Sequence, residues 1–140
     1  MRPALEELDV ESAFAHSKGG VVDRKMAECC LAGVWLLHDF LDESHQISQG
    51  IDTASGSFWH GIMHRREGDF SNAKYWFRHV GHHPVFDSLA EREGSWDPYA
   101  FIDACQSAVR SGQNRDRCLE LQQAEWELLF DHCYRNAIGN

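Results

Sequence analysis

β-branched residues are scarce in this chain, since Val, Ile and Thr together account for 13 of its 140 residues. Strands depend on these side chains far more than helices do, so their scarcity disfavours a β-sheet. Hydrophobic residues make up 43% of the chain and charged residues 25%, which is typical of a globular protein rather than a disordered one. A chain of this length suits one hydrophobic core. We therefore expect a single all-α domain over residues 1–140.

Apolar residues at helical spacing, divided by glycines and prolines, predict six or seven helices. The clearest amphipathic segments cover residues 23–38 and 114–137, and a weaker one covers residues 3–17. Gly68 and Gly81 are typical of the residues that end helices. We expect no linker and no second domain.

The net charge of −9, from 13 basic and 22 acidic residues, disfavours binding to nucleic acid or to an anionic membrane surface. No apolar run approaches the roughly 18 residues of a membrane span. The first ten residues carry three acidic side chains and no apolar block, so we expect no secretory signal. Five cysteines without a CxxC pair fit reduced thiols. These features together predict a cytoplasmic protein.

The charge is unevenly distributed, because residues 60–83 carry four basic and two acidic side chains and five of the nine histidines. Arginine binds carboxylate or phosphate groups in a bidentate manner. The pattern predicts a pocket for a small anionic molecule or an acidic peptide segment. The candidate ligand-binding residues are Arg65, Arg66, Lys74, Arg78, His45 and Trp76. The alternative is that these charges only offset neighbouring acids.

Two stretches of the chain match each other without gaps at a separation of 29 residues, which suggests a weak internal repeat. The second stretch carries Gly61, Gly68, Phe70, Ala73, Phe77 and Val80. At this spacing they resemble tetratricopeptide and Sel1-type repeats, and the segment is also similar to small proteins to which no function is attached. The resemblance covers about residues 28–81 and implies antiparallel helical hairpins, stacked as a short solenoid or bundle. It implies no activity.

His60, His64 and Glu67 are spaced i, i+4, i+7, which places them on one face of a helix. Two histidines one turn apart can bind one divalent metal ion, and a carboxylate one turn further can complete an open three-ligand site. Gly61 stands where the HExxH motif has its general base, so the pattern does not indicate a metalloprotease. The alternative is that both imidazoles satisfy each other, a carboxylate or a backbone carbonyl inside the hairpin.

Three functions remain open at this point. The first is a binding module for the anionic ligand described above. The second is a metal-dependent enzyme that uses His60, His64 and Glu67 as ligands, with His38 or His45 as general acid or base. The third is a structural subunit whose histidines and tryptophans fill a homodimer interface. Nucleotide-binding glycine loops and the GxSxG elbow are absent from the sequence.

Overall fold

The computed structural model describes residues 2–140, which form nine helices and no strand. The helices are α1 (Arg2–Glu6), α2 (Val10–Ala13), α3 (Arg24–Leu37), α4 (Leu41–Ser48), α5 (Ala54–Glu67), α6 (Phe70–Val80), α7 (Pro84–Glu93), α8 (Pro98–Ser111) and α9 (Arg115–Ile138). The all-α class is confirmed. None of these nine helices is both long and apolar enough to cross a bilayer.

Nine helices exceed the six or seven that we expected, and the N-terminal region shows why. We expected one helix over residues 3–17, but the structure has two short helices, α1 and α2. The Asp9 side chain accepts a hydrogen bond from the backbone N–H of Ser12 at 2.7 Å, and the Ser12 hydroxyl oxygen accepts one from the Asp9 backbone N–H. This capping box starts a new helix at Val10.

Two helical hairpins lie at the centre of the fold, α3 with α4 and α5 with α6. Asp39 turns the chain between α3 and α4 with a φ of 69°. Gly68, at a φ of 88°, ends α5, and the Asp69 side chain then caps α6 by accepting from the Asn72 backbone N–H. These local signals reverse the chain within two residues, so that α6 packs along α5.

Small residues lie where the paired helices approach most closely. A Cβ atom on Gly61 would lie 2.6 Å from the ring of Phe77 on α6. In the other hairpin, the hydroxyl of Ser44 donates to the backbone carbonyl of Ala32 at 2.8 Å. Glycine, alanine and serine at these positions therefore allow the two backbones to pack directly against each other.

The fifth helix is surrounded by protein, because every residue from Phe58 to Arg65 is buried. Helix α9 packs against α3, and its Trp126 indole N–H donates to the Gly33 carbonyl at 2.9 Å. A helix buried on all faces places its polar side chains in the interior together with its apolar ones. His60, His64 and Arg65 are therefore inside the protein.

Candidate functional site

Three imidazoles converge between α4, α5 and α6, and we call them the histidine cluster: His45, His60 and His64. The ring centroids lie 4.8 Å apart for His60 and His64, and 4.6 and 5.4 Å from His45 to each of them. One ring nitrogen of each residue lies within 4.8 Å of the nitrogens of the other two. The i, i+4 pair on α5 is thus joined by a third imidazole from the neighbouring hairpin.

His60 is the most enclosed member of the cluster, with only 3% of its surface exposed. The indole of Trp76 stacks on its ring at 3.8 Å with an interplanar angle of 15°. Burial, and then the proximity of His45 and His64, lowers the pKa of His60 to about 3. The buried Nδ1 atom of this neutral imidazole has no hydrogen-bond partner among residues 2–140. Buried polar atoms are normally satisfied, so this nitrogen points to a missing partner.

His64 is held by two side chains that fix which of its nitrogens carries the proton. Its Nδ1 lies 2.7 Å from a Glu67 carboxylate oxygen, and its Nε2 lies 3.3 Å from the Asn72 amide nitrogen. A carboxylate only accepts, so Nδ1 carries the hydrogen and Nε2 presents its lone pair. Metal-binding histidines are commonly oriented by a carboxylate in this way.

Glu67 therefore does not occupy the position of third ligand that the sequence predicted. Its carboxylate contacts the Nδ1 side of His64, whereas the histidine cluster contains His45 instead. His64, Glu67 and Asp69 form a second group of potential ligands. In that group the Glu67 carboxylate already accepts from His64, and the Asp69 carboxylate already caps α6, so both acids have partners without an ion.

Arg65 is not available for the anion that the sequence predicted. Its guanidinium binds both carboxylate oxygens of Glu125 on α9, at 2.5 and 3.1 Å, and the two side chains are 1% and 0% exposed. It also donates to Gln122 and lies 4.6 Å from the centre of the Phe101 ring. This bidentate pair joins α5 to α9 inside the protein.

The other basic candidates each make contacts of their own. Arg66 donates to the Leu36 carbonyl at 2.5 Å and to Asp39 at 2.7 Å. Lys74 pairs with Asp103 on α8 at 2.7 Å. Arg78 is exposed on α6, with its guanidinium 5.9 Å from the centre of the Tyr75 ring.

The single anion pocket for this set of side chains stays a prediction, although most of its basic members have partners within the protein. Arg65, Arg66 and Lys74 each have an acidic partner, so for them the alternative of neighbouring acids holds. His45 and Trp76, the remaining candidates, contact His60 instead. A count of charges along residues 60–83 could not show which side of each helix carries them.

Ser55 and His83 form a buried pair that resembles the serine and histidine of a nucleophilic site, but the direction of its hydrogen bonds does not suit that role. The Val85 backbone N–H donates to Nδ1 of His83 at 3.1 Å. The Nε2 atom of the neutral ring therefore carries the hydrogen and donates to the Ser55 hydroxyl at 3.0 Å. An imidazole that donates to serine cannot accept its proton, so this pair does not act as nucleophile and base.

Sequence reasoning missed Glu125, whose partner Arg65 lies 60 positions earlier. The available signal was an acid inside the apolar stripe of α9, one helical turn from Leu121 and from Leu129. A buried acid at such a position requires a cation opposite it.

No family model, curated protein or solved structure matched this chain in the three comparisons.

Proposed function

We propose that this protein binds one divalent transition-metal ion of the zinc class through His45, His60 and His64. The observation that supports this most strongly is the convergence of three ring nitrogens inside the fold, at most 4.8 Å apart. The buried Nδ1 of His60 without a hydrogen-bond partner in the described chain adds to it. Imidazole is a ligand that suits Zn²⁺, Cu²⁺, Ni²⁺ and Fe²⁺, whereas Ca²⁺ and Mg²⁺ prefer oxygen.

The protonation state of the cluster suits a metal ion. Metals bind the neutral form of histidine, and the low pKa of His60 keeps that ring neutral at pH 7 without the ion. Glu67 places the lone pair of His64 at Nε2, where the ion would replace the Asn72 amide group that lies 3.3 Å away. Zn–N bonds of about 2.0–2.1 Å place three ligand nitrogens roughly 3.3 Å apart, so the ion would draw these nitrogens, now within 4.8 Å of one another, closer together.

The proposal is metal binding and does not assign a reaction. The sequence indicated His38 or His45 as a general acid or base, but His45 is a ligand in this arrangement. Three imidazole ligands leave a fourth tetrahedral position for water or a small ligand, as in catalytic zinc sites. A metal-dependent enzyme therefore stays the second interpretation, and the homodimer stays a prediction that the solution mass will test.

Three further expectations accompany this proposal. The α3–α4 and α5–α6 hairpins stack as in tetratricopeptide repeats. The protein acts in the cytoplasm, and it binds neither nucleic acid nor membranes, in keeping with its net charge of −9.

Zinc titration of the metal-free protein, prepared without a histidine tag, tests the proposal. We expect calorimetry to give one site per chain, and Zn²⁺ to raise the melting temperature. His45→Ala, in a half-buried position, should abolish the tight site. His82→Ala is the matched control, because His82 is exposed and pairs only with Asp87. Absence of stoichiometric uptake by the wild type, or equal loss in both variants, would overturn the proposal.

A further inference from the structure

A groove of about 500 Å³ lies between the C-terminal end of α5 and the connection from α8 to α9, and we call it the α8–α9 groove. Its size is within the range of small-molecule sites. The residues that line it include Arg65, Arg66, Val109, Arg115, Cys118 and Leu119. None of the three histidines of the cluster is in its wall, so a ligand here would be independent of the metal site.

The charges in this wall leave one positive charge without a partner. Arg65 is balanced by Glu125, and Arg66 by Asp39. Arg115 forms no ion pair within residues 2–140 and is exposed at the first position of α9. The groove therefore has a net positive charge that suits a monoanion rather than a dianion.

One polar group in the wall of the groove and one next to Arg115 in the sequence also lack partners. The Nε atom of the buried Arg65 has no hydrogen-bond partner in the described residues. Asn114, which precedes α9, has a φ of 61° and its side chain makes no capping hydrogen bond to the helix. The first backbone N–H groups of this 24-residue helix thus remain open to an anion beside Arg115.

Two large apolar side chains of the wall are exposed. Val109 on α8 is 75% exposed, the highest value among the large exposed hydrophobic residues, and Leu119 on α9 is 54% exposed. The half-buried Phe70 and the buried Ala108 also line the groove. A ligand with an apolar body would remove this surface from water, with a gain of about 25 cal/mol for each Å² covered.

We propose that the α8–α9 groove binds a small organic acid with a single carboxylate and an apolar chain. The carboxylate lies against Arg115 and the start of α9, and the chain covers Val109 and Leu119. Arginine and open helix N–H groups both favour carboxylates. The basic cluster that the sequence predicted is thus replaced by one free arginine next to an apolar wall.

Octanoate is the probe, and the Cys118 thiol of the groove reports its binding. Cys105 and Cys118 line the groove and are half-buried, whereas Cys29, Cys30 and Cys133 are buried. Burial raises the pKa of Cys105 to about 12, so we expect iodoacetamide to alkylate Cys118 first in the folded protein, and octanoate to slow that reaction with a saturable concentration dependence. Octanol, acetate and tetraglutamate should protect at least tenfold less well, because each lacks the charge or the chain.

Matched variants separate the two parts of the site. Arg115→Gln and Leu119→Ser should each weaken octanoate protection about fivefold, which corresponds to roughly 1 kcal/mol. Arg110→Gln removes an exposed arginine of α8 that does not line the groove, and it should leave protection unchanged. The proposal is overturned if octanoate fails to protect, if octanol or tetraglutamate protects equally, or if the three variants behave alike.

Discussion

Replacing Glu125 with glutamine would leave the guanidinium of Arg65 charged and without a counter-ion inside the protein. The two side chains are 1% and 0% exposed, so no water can take over the role of the carboxylate. Removing one partner from a buried ion pair costs about 3–5 kcal/mol. A domain of this kind has a total stability of about 5–15 kcal/mol, so Glu125→Gln should lose a large share of it.

Urea denaturation of four proteins measures this effect: the wild type, Glu125→Gln, Arg65→Met and the double variant Arg65→Met/Glu125→Leu. We expect each single variant to lose about 3–5 kcal/mol of unfolding free energy. The double variant should be more stable than either single variant, because it leaves no charge buried.

The exposed pair Lys74–Asp103 provides the control, since its side chains are 36% and 60% exposed. Asp103→Asn should cost less than about 1 kcal/mol. The reasoning is refuted if Glu125→Gln costs no more than Asp103→Asn, or if the double variant loses the sum of the two single losses.

Two further predictions concern the hairpin core. Burial lowers the pKa of His60 to about 3 and that of His83 to about 4. Below pH 6.5 the unfolded chain therefore protonates these two imidazoles, whereas the folded protein keeps each of them neutral down to its own lower pKa. Stability should therefore fall as pH falls from 7 to 5, by about 1 kcal/mol for each imidazole after allowance for solvent screening. The measurement is the midpoint of denaturant unfolding at pH 7 and at pH 5. Equal midpoints at the two pH values would contradict this prediction. Gly61→Ala should lower the melting temperature sharply, because its Cβ would lie 2.6 Å from the Phe77 ring. Gly19→Ala, where no atom lies within 4 Å of the added Cβ, should not lower it, and equal effects would argue against the close helix packing.

Local signals predicted much of the fold. The scarcity of strand-forming residues predicted the helical class, and Gly68 and Gly81 marked the ends of α5 and α6 correctly. The capping box at Asp9 was missed, because an apolar stripe continues across it and suggests one helix. Apolar periodicity shows which residues face inward, but it does not show where a side chain interrupts the backbone hydrogen bonds.

The candidate site was less predictable, because its third histidine comes from another hairpin. Helical spacing placed His60 and His64 together, since residues one turn apart share a face regardless of the rest of the fold. His45 reaches them only because α4 packs against α5, which no local pattern specifies. Lys74 is 14 residues from His60 but pairs with Asp103, since the direction of a helix face depends on its tertiary neighbours.

An anomalous difference map recorded at the zinc absorption edge, on crystals grown with one equivalent of Zn²⁺, tests the metal site most directly. We expect one peak per chain, at about 2.0–2.1 Å from one nitrogen of each of His45, His60 and His64. A map without a peak among these three rings, or with zinc only at exposed histidines such as His82, would contradict the proposed binding site.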